Sequence, residues 1–281
     1  MPPTLGAADP EFQLTDADFE RVRTLIYQHA GIALAPAKRD MVYSRLARRL
    51  RALNLQSFSA YLQLLERNER NEWETFVNSL TTNLTYFFRE AHHFETLARH
   101  LRASASRPYR IWCSAASTGE EPYSLAMTAC EAFSSLSPPV TIIASDIDTQ
   151  VLSVAQQGVY GREQLGKLSE ERVQHFFTPD SALRNGQAKV RDELRRLVDF
   201  RRINLLDMRY ALDGRFDALF CRNVMIYFDK PTQHAVLKRF NPLLRDDGLL
   251  FAGHSESFLH ASELFRSLGR TVYAPVRPSV K

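Results

Sequence analysis

The sequence predicts an α/β fold built on a parallel sheet and preceded by a small all-helical domain. Apolar residues recur at helical spacing from Leu14 to about Asn83. From Pro108 onward, short β-branched and aromatic runs alternate with helical stretches. An apolar share of 44% over 281 residues is enough to fill a main core and a smaller second one.

In the helical part, Thr15 followed by Asp18 is a capping-box start. Phe19, Val22, Ile26 and Ala30 form the apolar stripe, and Gly31 closes the helix. Pro36 suits the first turn of a second helix, whose apolar line is Val42, Leu46, Leu50 and Leu53. Ser57 caps a third helix carrying Tyr61, Leu64 and Leu65, and Trp73, Phe76, Val77 and Leu80 mark a fourth.

The strands follow. Tyr109 to Cys113 and Val140 to Ser145, the latter ending on Asp146, flank a helix over Thr118 to Phe133. Further strand-like runs lie at Leu197 to Ile203, Phe216 to Phe220, Leu249 to Ala252 and Thr271 to Pro275, with Lys230 to Leu244 helical. Between Phe176 and Phe200 the alternation breaks around Asn185-Gly186, a hairpin-turn dipeptide, which predicts a small antiparallel insertion. The expected division is a disordered lead-in over 1–13, a helical domain over 14–84, a connecting segment with a helix over 85–108, and the α/β domain over 109–281 with its insertion at about 176–200.

Bulk properties narrow the function. No apolar run is long enough to cross a bilayer, and Met1 to Glu11 lacks the basic start and apolar core of a secretory signal. Cys113, Cys130 and Cys221 form no C-x-x-C pair, which argues against a disulfide framework or zinc site and for a reducing, cytoplasmic compartment. A net charge of +4 is too mild for a nucleic-acid binder.

Ser114 to Glu121 follows the first strand and opens a helix, where a tight turn brings backbone N–H groups close to a ligand. Only Gly119 stands where a dinucleotide site would carry three glycines. Glu120 and Glu121 would repel a pyrophosphate but suit a ligand bearing an ammonium and a sulfonium; alternatively they complement the helix dipole. Asp146 at a strand end can accept hydrogen bonds from ribose hydroxyls, with Asp148 as competitor. His92-His93 points to two faces of a helix, which argues against metal chelation, and His254 reads as a turn histidine.

Four segments, in order, resemble the chemotaxis receptor glutamate methyltransferases, the CheR family. They are Thr81-Thr82-Asn83-Leu84-Thr85-Tyr86-Phe87-Phe88-Arg89-Glu90, Ser117-Thr118-Gly119-Glu120-Glu121-Pro122-Tyr123-Ser124, Asp146-Ile147-Asp148 and Cys221-Arg222-Asn223-Val224-Met225-Ile226-Tyr227-Phe228. The resemblance runs from roughly Leu14 to Pro275. It implies a Rossmann-like S-adenosylmethionine-dependent methyltransferase domain with a small β-subdomain behind a helical domain, with S-adenosylhomocysteine as product and no metal.

The resemblance also implies residue roles. Asn83, Thr85 and Arg89 would line the cofactor pocket from the interdomain segment, Glu120 would meet the methionine portion or the ribose neighbourhood, and Asp146 the ribose hydroxyls. Asn204 and Leu205 would flank the adenine, Arg222 and Asn223 would border the pocket, and Arg89 and Tyr227 would lie nearest the transferred methyl. The implied substrate is a glutamate on the cytoplasmic helical bundle of a chemotaxis receptor. Its side chain, with an ordinary pKa of about 4.3, is already ionised at neutral pH, so positioning replaces a general base. A catalytically silent receptor-binding module that senses the cofactor is the alternative.

The second helix, Pro36 to Leu53, carries Lys38, Arg39, Arg45, Arg48, Arg49 and Arg51 against Asp40 alone, a net +5. Arg45, Arg48 and Arg49 share a helical face and are expected to dock the acidic receptor; a merely solvated face is the plain alternative. In some family members the β-subdomain holds a tethering peptide from a receptor's C-terminus, so such a tether is a candidate partner.

Overall fold

The computed structural model of the protein describes residues 11–67, 72–103, 107–178 and 186–277. The chain divides into two compact units with the boundary between Thr81 and Thr82.

Among its described residues the first unit has four α-helices: α1 (Asp16–Ala30), α2 (Arg39–Leu53), α3 (Phe58–Glu66) and α4 (Glu72–Leu80). Thr15 caps α1 through the backbone of Asp18, whose carboxylate reaches back in a complete capping box. Gly31 ends α1 at φ 71°, the left-handed conformation a glycine adopts without a Cβ penalty. Ser57 caps α3 by accepting from the Ala60 N–H at 3.2 Å. Val22, Ile26, Val42, Leu46, Leu50, Leu65 and Phe76 are buried from all four helices. Phe12 falls in the stretch expected to be a disordered lead-in, yet it is buried with its ring 6.4 Å from that of Phe58.

The basic face of α2 differs from the expectation. Arg49 forms a bidentate pair with the carboxylate of Glu72, which is 1% exposed and also accepts from the Tyr61 hydroxyl at 3.0 Å. Arg45 donates to the carbonyls of Thr81, at 2.5 Å, and Ser79, at 3.3 Å. Both guanidiniums therefore fasten α2 to α4, and only Arg48 of the three is exposed without a protein partner among the described residues. The correction has a physical reason. A buried carboxylate needs a cation, and the arginines one turn apart on the α4 side supply that cation and the cap for the end of α4. Reversing all three charges would therefore test folding rather than docking. Arg49→Glu is expected to cost roughly 3–5 kcal/mol in urea unfolding, because it leaves Glu72 buried without its partner. Arg48→Glu should shift stability by no more than about 0.5 kcal/mol.

The second unit is a seven-stranded sheet with helices on both faces. Its strands are β1 (Tyr109–Cys113), β2 (Val140–Asp146), β6 (Val198–Arg202), β7 (Phe216–Cys221), β8 (Leu244–Ala252), β9 (Phe265–Gly269) and β10 (Val272–Pro275). Their order is β6-β2-β1-β7-β8-β10-β9, parallel as far as β8, with β10 antiparallel to both neighbours. Alternation in β1 shows why the sheet is covered twice. Ile111 and Cys113 belong to one core together with residues of α5 (His92–Ala103) and α6 (Glu120–Phe133), while Trp112 faces the other core. There its ring lies 5.1 Å from Phe240 of α11 (Lys230–Phe240). The segment expected as a connector over 85–108 carries α5, whose Phe94, Leu97 and Leu101 are buried in the main core.

Between α7 (Thr149–Gln157) and β6 lies a separate three-stranded antiparallel sheet. It comprises β3 (Val159–Tyr160), β4 (Phe177–Thr178) and β5 (Ala188–Val190), in the order β3-β5-β4. The inserted sheet thus begins at Val159, earlier than the expected boundary near 176, and its last strand ends before β6 joins the main sheet. Asn185 lies outside the described residues, and Gly186 has φ 84°. No helix among the described residues is long and apolar enough to cross a membrane.

Candidate active site

Strand β1 pairs in parallel with β2 on one side and β7 on the other, so the chain order reverses there and a crevice opens at the carboxyl ends. Of the sequence-predicted cofactor and catalytic residues, Glu120, Asp146, Arg222, Asn223 and Tyr227 lie at or after those three strand ends, and Asn204 and Leu205 follow β6.

After β1, Gly119 sits at φ 99° and precedes α6. A Cβ on it would meet the Tyr160 hydroxyl at 2.6 Å and the Ala155 Cβ at 2.8 Å, so the turn is closed to any other residue. Glu120 and Glu121 at the helix start have different fates. Glu121 accepts from Cys113 Sγ at 3.2 Å and from Arg222 at 2.5 Å. Glu120, 2% exposed, accepts from the Thr118 hydroxyl at 2.7 Å and has no cationic partner among the described residues. Burial pushes its carboxyl above the ordinary range, while the Thr118 hydroxyl opposes this.

Asp146 ends β2. The Ser117 N–H donates to one of its oxygens at 2.9 Å and the Asp148 N–H to the other at 3.0 Å, which leaves the carboxylate room to accept from a ligand. Burial pushes Asp146 up to about 6 against the pull of those N–H groups. Asp148 does not compete for this role, because it caps α7 through Gln150 N and Val151 N. Its other oxygen accepts from the Asn83 side chain at 2.9 Å, and the Asn83 carbonyl accepts from the Ser117 hydroxyl at 3.1 Å.

Asn83 opens an extended segment that ends in a turn with two non-glycine residues in the left-handed region, Phe88 at φ 54° and Glu90 at φ 59°. Three contacts hold this conformation. Phe87 is buried with its ring 4.9 Å from Tyr160, the Phe88 N–H donates to Ser124 Oγ at 3.0 Å, and the Arg89 carbonyl accepts from Arg222 at 2.5 Å. Arg89 makes no ion pair with Glu90 or Glu95. Its guanidinium donates to the Leu84 carbonyl at 2.9 Å and lies 5.8 Å from the Tyr86 ring centroid. Thr85 is half-buried in the same segment.

After β7, Arg222 was expected to border the pocket, but its side chain is fully buried. It bonds Glu121 and the Arg89 carbonyl, with Glu90 at 3.3 Å. It locks the segment carrying Arg89 to the helix start carrying Glu120 and leaves no surface for a ligand. Asn223, at φ 59°, and half-buried Tyr227 lie on the turn that follows. Beyond β6, Asn204 Oδ1 accepts from Leu206 N at 3.0 Å, and Leu205 is buried with its carbonyl held by Arg239 and Tyr210 at 2.8 Å each.

The histidines correct another expectation. His92 and His93 do not diverge: their Nε2 atoms lie 3.3 and 3.1 Å from the Arg270 carbonyl, and with Glu90 they bring three metal-capable groups within 4.8 Å. Both rings reach past the helix start to the same hairpin. Burial and Arg222 push His93 down to about 4. Burial alone would raise Glu90, but Arg222 and His254 hold it down at about 2. The Glu90 carboxylate is thus shared with a guanidinium, which opposes a cation there.

Sequence reasoning missed Glu256 and Gln233 as site-organising residues, and read Glu121 as an acid suiting a cationic ligand where it instead pairs with Arg222. Only Glu121 carried a signal, its place beside Glu120 in the resembling segment.

The arrangement fits a ligand with a ribose and a positive charge. Asp146 has acceptor capacity at the crevice, and Glu120 is a buried acid with no cationic partner among the described residues. Comparison with known proteins agrees. The family described as "CheR methyltransferase, SAM binding domain" matches residues 83–274, and "CheR methyltransferase, all-alpha domain" matches residues 17–81. The chain is 54% identical to the chemotaxis protein methyltransferase of Escherichia coli over 262 residues, covering 93% of this chain and 91% of that protein. It is 55% identical to chemotaxis protein methyltransferase 2 of Pseudomonas aeruginosa over 267 residues, covering 94% and 95%. Against the chemotaxis protein methyltransferase of Vibrio parahaemolyticus the identity is 37% over 260 residues, covering 90% and 93%. With both domains matched in order along one chain, this protein belongs to the CheR methyltransferase family, whose main domain binds S-adenosylmethionine.

Proposed function

We propose that the chain transfers a methyl group from S-adenosylmethionine to glutamate side chains on the cytoplasmic helical bundle of a chemotaxis receptor. The observation that carries the reading is Glu120, a buried acid at the start of α6 with no cationic partner among the described residues, beside the strand that ends on Asp146. Family membership and the names of the relatives support the chemotactic setting.

S-adenosylmethionine supplies an electrophilic methyl on a sulfonium. The carboxylate oxygen forms the new C–O bond as the S–CH3 bond breaks, and the sulfur keeps the electron pair, leaving the neutral thioether. No proton moves, because the glutamate arrives ionised. The chain's own groups bind and orient. Asp146 accepts from the ribose hydroxyls, and Glu120 offsets positive charge on the ligand. Asn83 and Thr85 line one wall, Asn223 borders the other, and Asn204 and Leu205 flank the base. Arg89 can hold the incoming carboxylate through two N–H donors, and the Tyr227 hydroxyl can donate one hydrogen bond beside the methyl's path.

Arg48 of α2, with exposed Lys38 just before the helix, is left to face an acidic partner. A tether peptide at the inserted sheet is a further candidate contact.

The test is incubation with methyl-labelled S-adenosylmethionine and a cytoplasmic receptor fragment. Base-labile label on the fragment, released as methanol, is expected; label that resists base, or none, contradicts the reading. Arg89→Ala should lower kcat by about a hundredfold with a smaller loss of S-adenosylhomocysteine affinity, since Arg89 holds the acceptor carboxylate while also lining the donor pocket.

A further inference from the structure

The turn after β7 is cradled by two buried polar side chains from outside it, and the mechanism above assigns neither. Glu256, 5% exposed, accepts from the Asn223 N–H at 3.0 Å, from the Met225 N–H at 2.8 Å, and from the Gly253 N–H. Gln233 of α11, 8% exposed, donates its amide to the carbonyls of Met225, at 2.8 Å, and Phe228, at 3.0 Å. The Lys230 ammonium donates to the Gln233 Oε1 at 3.1 Å and so fixes which way the amide faces.

Glu256 therefore gathers the N–H groups at the front of the turn, and Gln233 the carbonyls at its back. Tyr227 lies between these anchors, on the short 3-10 turn Met225–Tyr227. Such a turn has poor internal hydrogen-bond geometry and only one or two bonds of its own, so its conformation depends on external partners. The front is also strained. Asn223 is left-handed, and a Cβ on Gly253 would meet the Asn223 amide nitrogens of side chain and backbone at 2.3 and 2.9 Å. A carboxylate that bonds Asn223 and Gly253 at once holds that close approach in place.

We infer that Glu256 and Gln233 are positioning residues for methyl transfer, holding the turn after β7 so that Tyr227 stays on the methyl's path. This rests on the role given to Tyr227 above, and the experiment separates the two. Glu256→Gln keeps the shape, but its NH2 half cannot accept from an N–H, so the front of the turn is released. Rates of receptor-fragment methylation are compared for wild type, Tyr227→Phe, Glu256→Gln and the double variant, below the thermal midpoint of each. Glu256→Gln is expected to lower kcat about tenfold, yet by less than about twofold in the Tyr227→Phe background, because it acts through the same group. Glu256→Asp, which keeps the carboxylate, should recover part of the rate. A wild-type rate for Tyr227→Phe would overturn the role of Tyr227. A slow Tyr227→Phe with a wild-type Glu256→Gln, or with effects that simply multiply, would overturn the positioning inference alone. If Glu256→Gln fails to fold, Gln233→Leu releases the back of the turn and takes its place in the same cycle, with the same outcomes.

Discussion

Replacing Gly119 with alanine should lower the stability of the protein by about 3 kcal/mol or more, from left-handed strain and overpacking together, and should cost it S-adenosylhomocysteine binding. The backbone there has φ 99°, which an L side chain adopts only under strain. The added methyl would also lie 2.8 Å from the Ala155 Cβ and 3.0 Å from its Cα, backbone packing that cannot swing away. Tyr160 would have to give up its 2.8 Å bond to the Thr118 carbonyl, which helps hold the same turn. Any relaxation therefore moves Thr118 and Glu120, and stability and ligand affinity should fall together. Urea unfolding and calorimetric titration on the full chain measure the two. Wild-type values for both would show that the turn is looser than the packing around Gly119 implies.

Asp146→Ala should weaken S-adenosylhomocysteine binding by about a hundredfold or more. Two hydrogen bonds to a charged acceptor contribute roughly 1.5–3 kcal/mol each, and even the lower pair of values corresponds to about two powers of ten. Asp146 also predicts a pH dependence. Its ordinary carboxyl value of 3.8 is raised to about 6 by burial, so the free protein takes up a proton as pH falls through about 6. Hydroxyl donors of a ligand favour the ionised form, so affinity should be flat well above pH 6 and decline below it. The sign for stability is the reverse. A raised carboxyl contributes stability that is fully present below the unfolded value and is lost as pH rises through about 6, so the ligand-free protein pays for keeping this acceptor ionised at neutral pH. Asp146→Asn should flatten the binding profile. A profile unchanged in Asp146→Asn would assign the titration to another group.

Much of the fold was legible in the sequence where burial is regular. Strand β7 is buried along its whole length, and the helices of the first unit carry their apolar residues at three- and four-residue spacing with recognisable caps. Strand β9 escaped because only Phe265 in it is buried and the rest faces out along an edge, so no alternation marks it. The insertion was misplaced at its start because β3 and β4 are two residues long, too short for any period. At the site, Glu120, Asp146, Asn223 and Tyr227 lie at or just after the ends of β1, β2 and β7, Asn83, Thr85 and Arg89 lie on the segment before α5, and Arg222 is spent inside the protein. Helical spacing put Arg45, Arg48 and Arg49 on one face but could not show that buried Glu72, 23 residues along the chain from Arg49, pairs with it. Long-range polar partners such as Glu72 and Glu256 leave no local pattern. They are chosen by backbone groups that need satisfying only once the fold has formed.

The central claim is a donor site at the carboxyl ends of β1, β2 and β7, and a crystal structure of the protein with S-adenosylhomocysteine tests it most directly. The account predicts the ribose hydroxyls on the Asp146 carboxylate, the amino-acid portion toward Glu120, and the sulfur directed at the space between Arg89 and Tyr227. Ligand bound with Asp146 uncontacted, or seated away from these strand ends, would contradict it.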